Sequence, residues 1–144
     1  MTDHISPEHR SWNMRQIKGK DTKIEVMVRQ YLFQQGFRFR KNDKRYPGKP
    51  DIVLPKYKTV IFVNGCFWHG HTGCKYFVWP QNNADFWREK IQCNIERDKN
   101  NYDKLKQLGW NVVLVWECEL KKHRRDETLL SLISRIKSTY KPEV

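Results

Sequence analysis

The alternation of polar and apolar positions changes period several times along this chain, and each change marks an element. Residues 1–20 have Trp12, Met14 and Ile17 as their main large apolar groups, set among Arg10, Arg15, Lys18 and Lys20. That pattern predicts an arm or short helix outside the core, followed by a single domain over residues 21–144. Asp21-Thr22 opens a helix, with Glu25 three residues after Thr22 as in a capping box. Ile24, Met27 or Val28, Tyr31 and Leu32 recur at helical spacing, and Gly36 stops the run. Phe37-Arg-Phe-Arg alternates like a half-exposed strand. Beyond the turn cluster Tyr46-Pro-Gly-Lys-Pro, apolar runs at Asp51–Leu54 and Thr59–Val63, joined by Pro55-Lys-Tyr-Lys, predict a hairpin. Residues 84–108 form the longest helical pattern, ended by Gly109. Val112–Trp116 reads as a short buried strand. A last helix near Asp126–Ser138 carries Leu129, Leu132, Ile133 and Ile136 on one face. The order helix, three strands, helix, strand, helix predicts an α/β (α+β) fold, a mixed sheet flanked by helices.

Three departures from these patterns carry chemistry. The strand ending at Val63 runs into Asn64-Gly-Cys-Phe-Trp-His-Gly-His-Thr-Gly-Cys74, which mixes thiols, imidazoles, adjacent aromatics and glycines. Cys66, His71 and Cys74 are spaced for a metal, and Cys118 closes the strand after Gly109; four such ligands suit tetrahedral zinc. His69 or Cys93 could stand in for one of them, although Cys93 falls off the buried helical stripe and reads as a free thiol. Phe67 and Trp68, on a loop pinned by metal, could wedge between base steps. The bland reading is one ring inside and one outside. Trp87 could join them or simply begin the core stripe of its helix.

The second departure is Asp51, which follows Pro50 at the mouth of a strand. A carboxylate there can hold a divalent cation against a phosphate, or can be an ordinary turn aspartate. Pairing of the two strands as a hairpin would bring Asp51 and His69 to one end of the sheet. Glu25 is explained by capping alone, yet is compatible with a second carboxylate at that site. The third departure lies in the long helix, where Trp87, Ile91, Ile95, Asp98, Tyr102 and Leu105 form one stripe. Asp98 occupies an apolar place in it and needs a partner, either an internal salt bridge or an imidazole that it orients.

Charge narrows the class of partner. Lys and Arg number 28 against 16 Asp and Glu, a formal net charge of +12. Such an excess favours a polyanion through counterion release, and aromatic content of 13% tilts that towards nucleic acid. No apolar run approaches the roughly 18 residues of a membrane helix. The first residues lack the basic and apolar regions of a secretory signal. A cytoplasmic protein with reduced cysteines is expected.

The ordered motifs Ser11-x-Asn-Met-Arg-x-Ile, Asp21-Thr-x-Ile-Glu25, Pro47-Gly-x-Pro-Asp51, Gly65-Cys-Phe-Trp-His69, Phe86-Trp87-x-x-Lys-Ile, Asn94-x-Glu-Arg-Asp98 and Leu108-Gly-Trp-x-Val-x-x-Val-Trp-Glu117 resemble the very short patch repair endonuclease family. The resemblance covers about residues 10–120. It implies a restriction-endonuclease-like fold with a zinc-stapled loop, and a Mg2+-dependent nick 5′ to the thymine of a T:G mismatch left by deamination of 5-methylcytosine. By that resemblance Asp51 and the backbone carbonyl of Val63 would ligate Mg2+, His69 would be the general acid/base, and Asp98 would orient it. Phe67, Trp68 and Trp87 would intercalate from the major groove, while Met14, beside Arg15 on the arm, clamps the minor groove. Cys66, His71, Cys74 and Cys118 would hold structural Zn2+.

Asn64 stands where a family member carries His, and the loop before Cys74 is one residue longer. The second strand lacks the (Asp/Glu)-x-Lys of typical restriction enzymes, as does the family. The expectation is therefore a monomeric, nucleoid-associated bacterial repair nuclease acting on mismatched duplex DNA, with mismatch-repair proteins as further partners. Its rivals are a restriction nuclease cutting both strands and a non-catalytic zinc-stapled DNA-binding module.

Overall fold

The computed structural model describes residues 22–138 and Tyr140. Met14, Arg15 and the rest of the expected arm lie outside the described residues. Helix α1 spans Lys23–Gln34, strand β1 Arg40–Lys41, β2 Ile52–Leu54 and β3 Thr59–Asn64. Helix α2 follows at Ala84–Gln107, then β4 at Asn111–Trp116 and α3 at Arg125–Lys137, so the element order matches the sequence pattern. The sheet order is β1-β2-β3-β4, with β1–β2 and β2–β3 antiparallel and β3–β4 parallel. Among the described residues it is a mixed sheet with three α-helices, an α+β architecture of the restriction-endonuclease-like kind.

Period-two alternation divides the core between the two faces of the sheet. Ile52, Leu54, Ile61, Val63, Val113 and Val115 point to one face and pack with Val28 and Leu32 of α1 and Leu129, Leu132 and Ile136 of α3. Val53, Val60 and Phe62 point to the other, where Leu105 and Tyr102 of α2 cover them. β3 is covered on both faces, and all six of its residues are buried. For that reason it reads as an unbroken apolar run rather than an alternation.

Two expectations are corrected. The strand over Phe37-Arg-Phe-Arg shrinks to Arg40–Lys41. Phe37 and Phe39 do turn towards the core, but β2 is short, and its ladder reaches only Arg40↔Val53 and Lys41↔Ile52. β4 is an edge strand with alternating burial rather than a fully buried one. Its outer edge is closed by side chains: Arg135 Nη1 donates to the Leu114 carbonyl at 3.1 Å, and Glu119 Oε1 accepts from the Trp116 N–H at 2.9 Å. Satisfying those groups locally blunts the edge against pairing with another chain.

α1 begins at Thr22, whose Oγ1 accepts from the Glu25 N–H at 3.4 Å, as the capping motif predicts. The Glu25 side chain is buried and lies 3.6 Å from Arg29 Nη1 one turn along. α2 follows its predicted stripe at Trp87, Ile91 and Leu105. Ile95, on the same stripe, is 38% exposed.

Candidate active site

The hairpin and the β3–β4 pairing together place the chemistry. Ile52 pairs with Ile61, so Asp51, one residue before β2, comes level with the end of β3. Its Oδ2 accepts from the Val63 N–H at 2.6 Å. In an extended strand the N–H and C=O of one residue face the same side, so the Val63 carbonyl projects towards the Asp51 side as well. Burial above all, and then the neighbouring Glu25 carboxylate, raise Asp51 from the ordinary 3.8 to about 7. The Val63 N–H and the charges of His69 and Arg29 pull it down only in part. A buried and a half-buried carboxylate beside a carbonyl oxygen could hold a hard divalent cation, whose charge would relieve their repulsion.

After β3 the chain coils tightly. The His69, Gly70 and His71 N–H groups donate back to the carbonyls of Gly65, Phe67 and Cys66 at 3.2, 3.2 and 3.0 Å. Gly70 is required where the coil meets α2. Its φ is +59°, and a Cβ there would stand 2.6 Å from Ile95 Cδ1 and 2.9 Å from Ile91 Cγ2. The coil presents His69 to α2, where Nδ1 lies 2.6 Å from Asp98 Oδ2. A carboxylate oxygen only accepts, so Nδ1 is the nitrogen that carries the proton, and in the neutral ring Nε2 is the one with the free lone pair. Asp98 breaks the apolar stripe to meet an imidazole.

Cys66, His71, Cys74 and Cys118 converge, their ligand atoms all within 4.8 Å of one another. The Cys118 N–H donates to Cys66 Sγ at 3.3 Å and the Tyr76 N–H to Cys74 Sγ at 3.4 Å, contacts that favour thiolates. Burial, with the Cys118 and Cys74 thiols alongside, pushes Cys66 up to about 12, a penalty that a bound cation removes. The cluster can hold a metal ion, and it joins the loop to the end of β4. His71 also stacks on Trp116, centroids 4.0 Å apart and planes at 2°. His69 is not a member, and Cys93 is exposed and apart.

Phe67, Trp68 and Trp87 form one ring cluster, with centroid separations of 5.3, 5.5 and 5.7 Å. Phe67 and Trp68 are half-buried and accessible, while Trp87 is only 9% exposed and floors the cluster. Asp51, Glu25, Val63, His69, Asp98, Phe67 and Trp68 all line one cleft of about 810 Å3. A second cavity, about 480 Å3, shares His69 and Asp98 with it.

Sequence reasoning missed several residues of this cleft. Lys90 and Asn94 line it, and Asn94 Nδ2 donates to the Trp68 carbonyl at 3.1 Å. The successive spacings of four from Lys90 to Asn94 and from Asn94 to Asp98 were the available signal, since 90, 94 and 98 share one helical face. Glu117 also lines it, with Oε1 3.4 Å from the Cys66 N–H. Asn64 is buried and donates to Tyr102 Oη at 3.0 Å.

Fold and site define a nuclease of the restriction-endonuclease-like class. The model of the DNA mismatch endonuclease Vsr family matches residues 2–75. The type II nicking enzyme V.NmeAIP of Neisseria meningitidis is 58% identical over 121 residues, 84% of this chain and 86% of that protein. V.XorIIP, a type II nicking enzyme of Xanthomonas oryzae, is 47% identical over 83% of this chain and 88% of its own. The DNA mismatch endonuclease Vsr of Escherichia coli is 44% identical over 90% of this chain and 83% of its own. The chain therefore belongs to the Vsr DNA mismatch endonuclease family and is a DNA endonuclease.

Proposed function

We propose that this endonuclease nicks one strand of duplex DNA 5′ to the thymine of a T:G mismatch, starting repair of deaminated 5-methylcytosine. The observation that carries the reading is one cleft in which the Asp51–Val63 contact and the Asp98–His69 pair face an aromatic wedge. The name of the Escherichia coli relative supports mismatch recognition, and those of the Neisseria and Xanthomonas relatives support cutting of a single strand.

Asp51 and the Val63 carbonyl would hold Mg2+, with Glu25 close by. The bound ion would stabilise the charge that develops on the phosphate. His69 Nε2 takes the proton of a water as that oxygen attacks phosphorus, and the P–O bond to the upstream sugar breaks as the new one forms. Asp98 holds the ring in the tautomer this needs and stabilises the imidazolium. Phe67 and Trp68 enter the base stack, with Trp87 supporting them from below, and insertion is cheapest where a mispair has already weakened stacking. Lys90 and Asn94 stand on the same side of α2 as Asp98, within reach of the opened pair. Met14 and Arg15 would grip the minor groove from the arm. Zn2+ in the Cys66–His71–Cys74–Cys118 cluster would fix the loop that carries both wedge and imidazole.

A nicking assay with Mg2+ present or withheld tests this reading, on T:G duplexes with varied flanks and on paired C:G controls. Nicks confined to the T strand and dependent on Mg2+ are expected; cutting of both strands, or equal cutting of C:G, overturns it. Trp68→Ala should reduce the preference for T:G about tenfold, since stacking of one base on an aromatic ring is worth roughly 1–3 kcal/mol. Unchanged preference would reduce Trp68 to packing.

A further inference from the structure

The aromatic cluster does not end at the wedge. Phe77 lies 6.2 Å from Phe67 by ring centroids, and Trp79 lies 4.8 Å beyond Phe77 in an edge contact. The segment that carries them follows Cys74, the last loop ligand of the metal cluster, so its root is anchored. Trp79 remains 38% exposed and Tyr76 40% exposed. Large rings left open to water, beyond what packing of the loop needs, mark an interaction surface.

Cations attend these rings. The Arg88 guanidinium sits 5.3 Å over Trp79, and Lys75 and Lys121 sit 5.2 and 4.8 Å from the Tyr76 ring. A surface for an apolar protein segment would leave the ring faces bare. Flat rings interleaved with cations instead match the alternation of base and phosphate in an unpaired strand. Through Phe77, Trp79 is also continuous, ring by ring, with the wedge that faces the cleft, while Tyr76 flanks Phe77 in sequence.

We propose that Tyr76, Phe77 and Trp79, with Arg88, Lys75 and Lys121, form a platform that receives the unpaired strand end released at the nick. This rests on the reading that one strand is cut beside the wedge. A strand cut next to an unstacked step is free to peel, and its first bases can stack on Phe77 and Trp79 while the cations neutralise its phosphates. The enzyme would thereby hold its product open rather than let the nick reseal by restacking.

The test compares binding of a nicked T:G duplex with and without a short unpaired oligothymidine tail at the thymine end, using the full chain. The tail should tighten binding at least about tenfold, as expected for one or two stacked bases. Trp79→Ala should remove that gain, and Trp79→Phe, which keeps a ring face, should retain it. Arg88→Ala, at an exposed helical position, should lower the gain and weaken its salt dependence. A tail that adds nothing to wild-type binding overturns the platform, as does a gain that survives in Trp79→Ala and Arg88→Ala alike. Nicking of intact T:G duplex by the same preparations is scored separately. Its absence strikes the mismatch reading, whereas loss of the tail gain alone strikes only the platform.

Discussion

Asp51 shows how a single buried carboxylate ties stability to metal binding. In the folded protein it keeps its proton to about pH 7, while the unfolded chain releases it near the ordinary value of 3.8. Metal-free wild type should therefore lose stability as pH rises through that interval, because the unfolded state sheds the proton first. Asp51→Asn cannot ionise, so it should be more stable than wild type by on the order of 2 kcal/mol at about pH 8 and no different near about pH 4. Urea unfolding across that range measures it, and parallel curves for the two proteins would refute the buried, repelled carboxylate. The same variant should bind DNA but fail to nick it. His69→Ala should slow nicking by about 10²–10⁴-fold, the usual worth of a positioned acid–base group. Asp98→Asn should retain more activity than His69→Ala and lower kcat with little change in KM, since it loosens the orientation of the ring; an unchanged kcat would make Asp98 a mere structural anchor. Asp98 was legible in the sequence because a charge in an apolar stripe demands a partner. The identity of that partner came only from the family resemblance, because local periodicity says nothing about which loop lies opposite.

At the scale of elements, the coil between β3 and α2 is held at three points: the convergence of Cys66, His71 and Cys74 with Cys118, the Asp98–His69 contact and the close approach of Gly70 to Ile91 and Ile95. Gly70→Ala would place a methyl within van der Waals overlap of both isoleucines, at a left-handed φ that Ala resists. We expect it to destabilise the fold by about 1–3 kcal/mol, as overpacking and backbone strain do. It should also reduce both bound metal per chain and nicking, because His69 and His71 flank the displaced residue. Full metal content with full activity would show that the coil is not rigidly seated on α2. The exposure of Ile95 has a reason at this scale as well: it spends its side chain against loop backbone at Gly70 rather than in the sheet core. Helical spacing placed it on the stripe correctly, but what the stripe faces changes from loop to sheet along a helix of 24 residues.

For the whole molecule, the net charge of +12 and the cleft between α1 and α2 describe a surface that follows a DNA backbone. Binding of an uncut duplex, measured with the divalent cation absent, should weaken by about 10³-fold between roughly 50 and 200 mM salt if about six phosphates are neutralised. A flat dependence would mean that binding is carried by the aromatic wedge alone. No helix among the described residues is long and apolar enough to cross a membrane.

What the chain determined by itself was local: element order, the thiols and imidazoles at metal-ligand spacing, the adjacent aromatics of the loop, the excess of positive charge, and the motifs that mark the family. Those follow from spacing and chemistry within a few turns of backbone. Tertiary structure decided which of these groups meet. Parallel pairing of β3 with β4 carries Cys118 to a ligand set whose other members lie between residues 66 and 74. The β2–β3 hairpin register sets Asp51 against Val63, and the seat of α2 on the sheet and coil gives Asp98 to His69. Long-range pairings of that kind are selected by how whole faces bury together, a sum over many side chains that no short window of sequence contains.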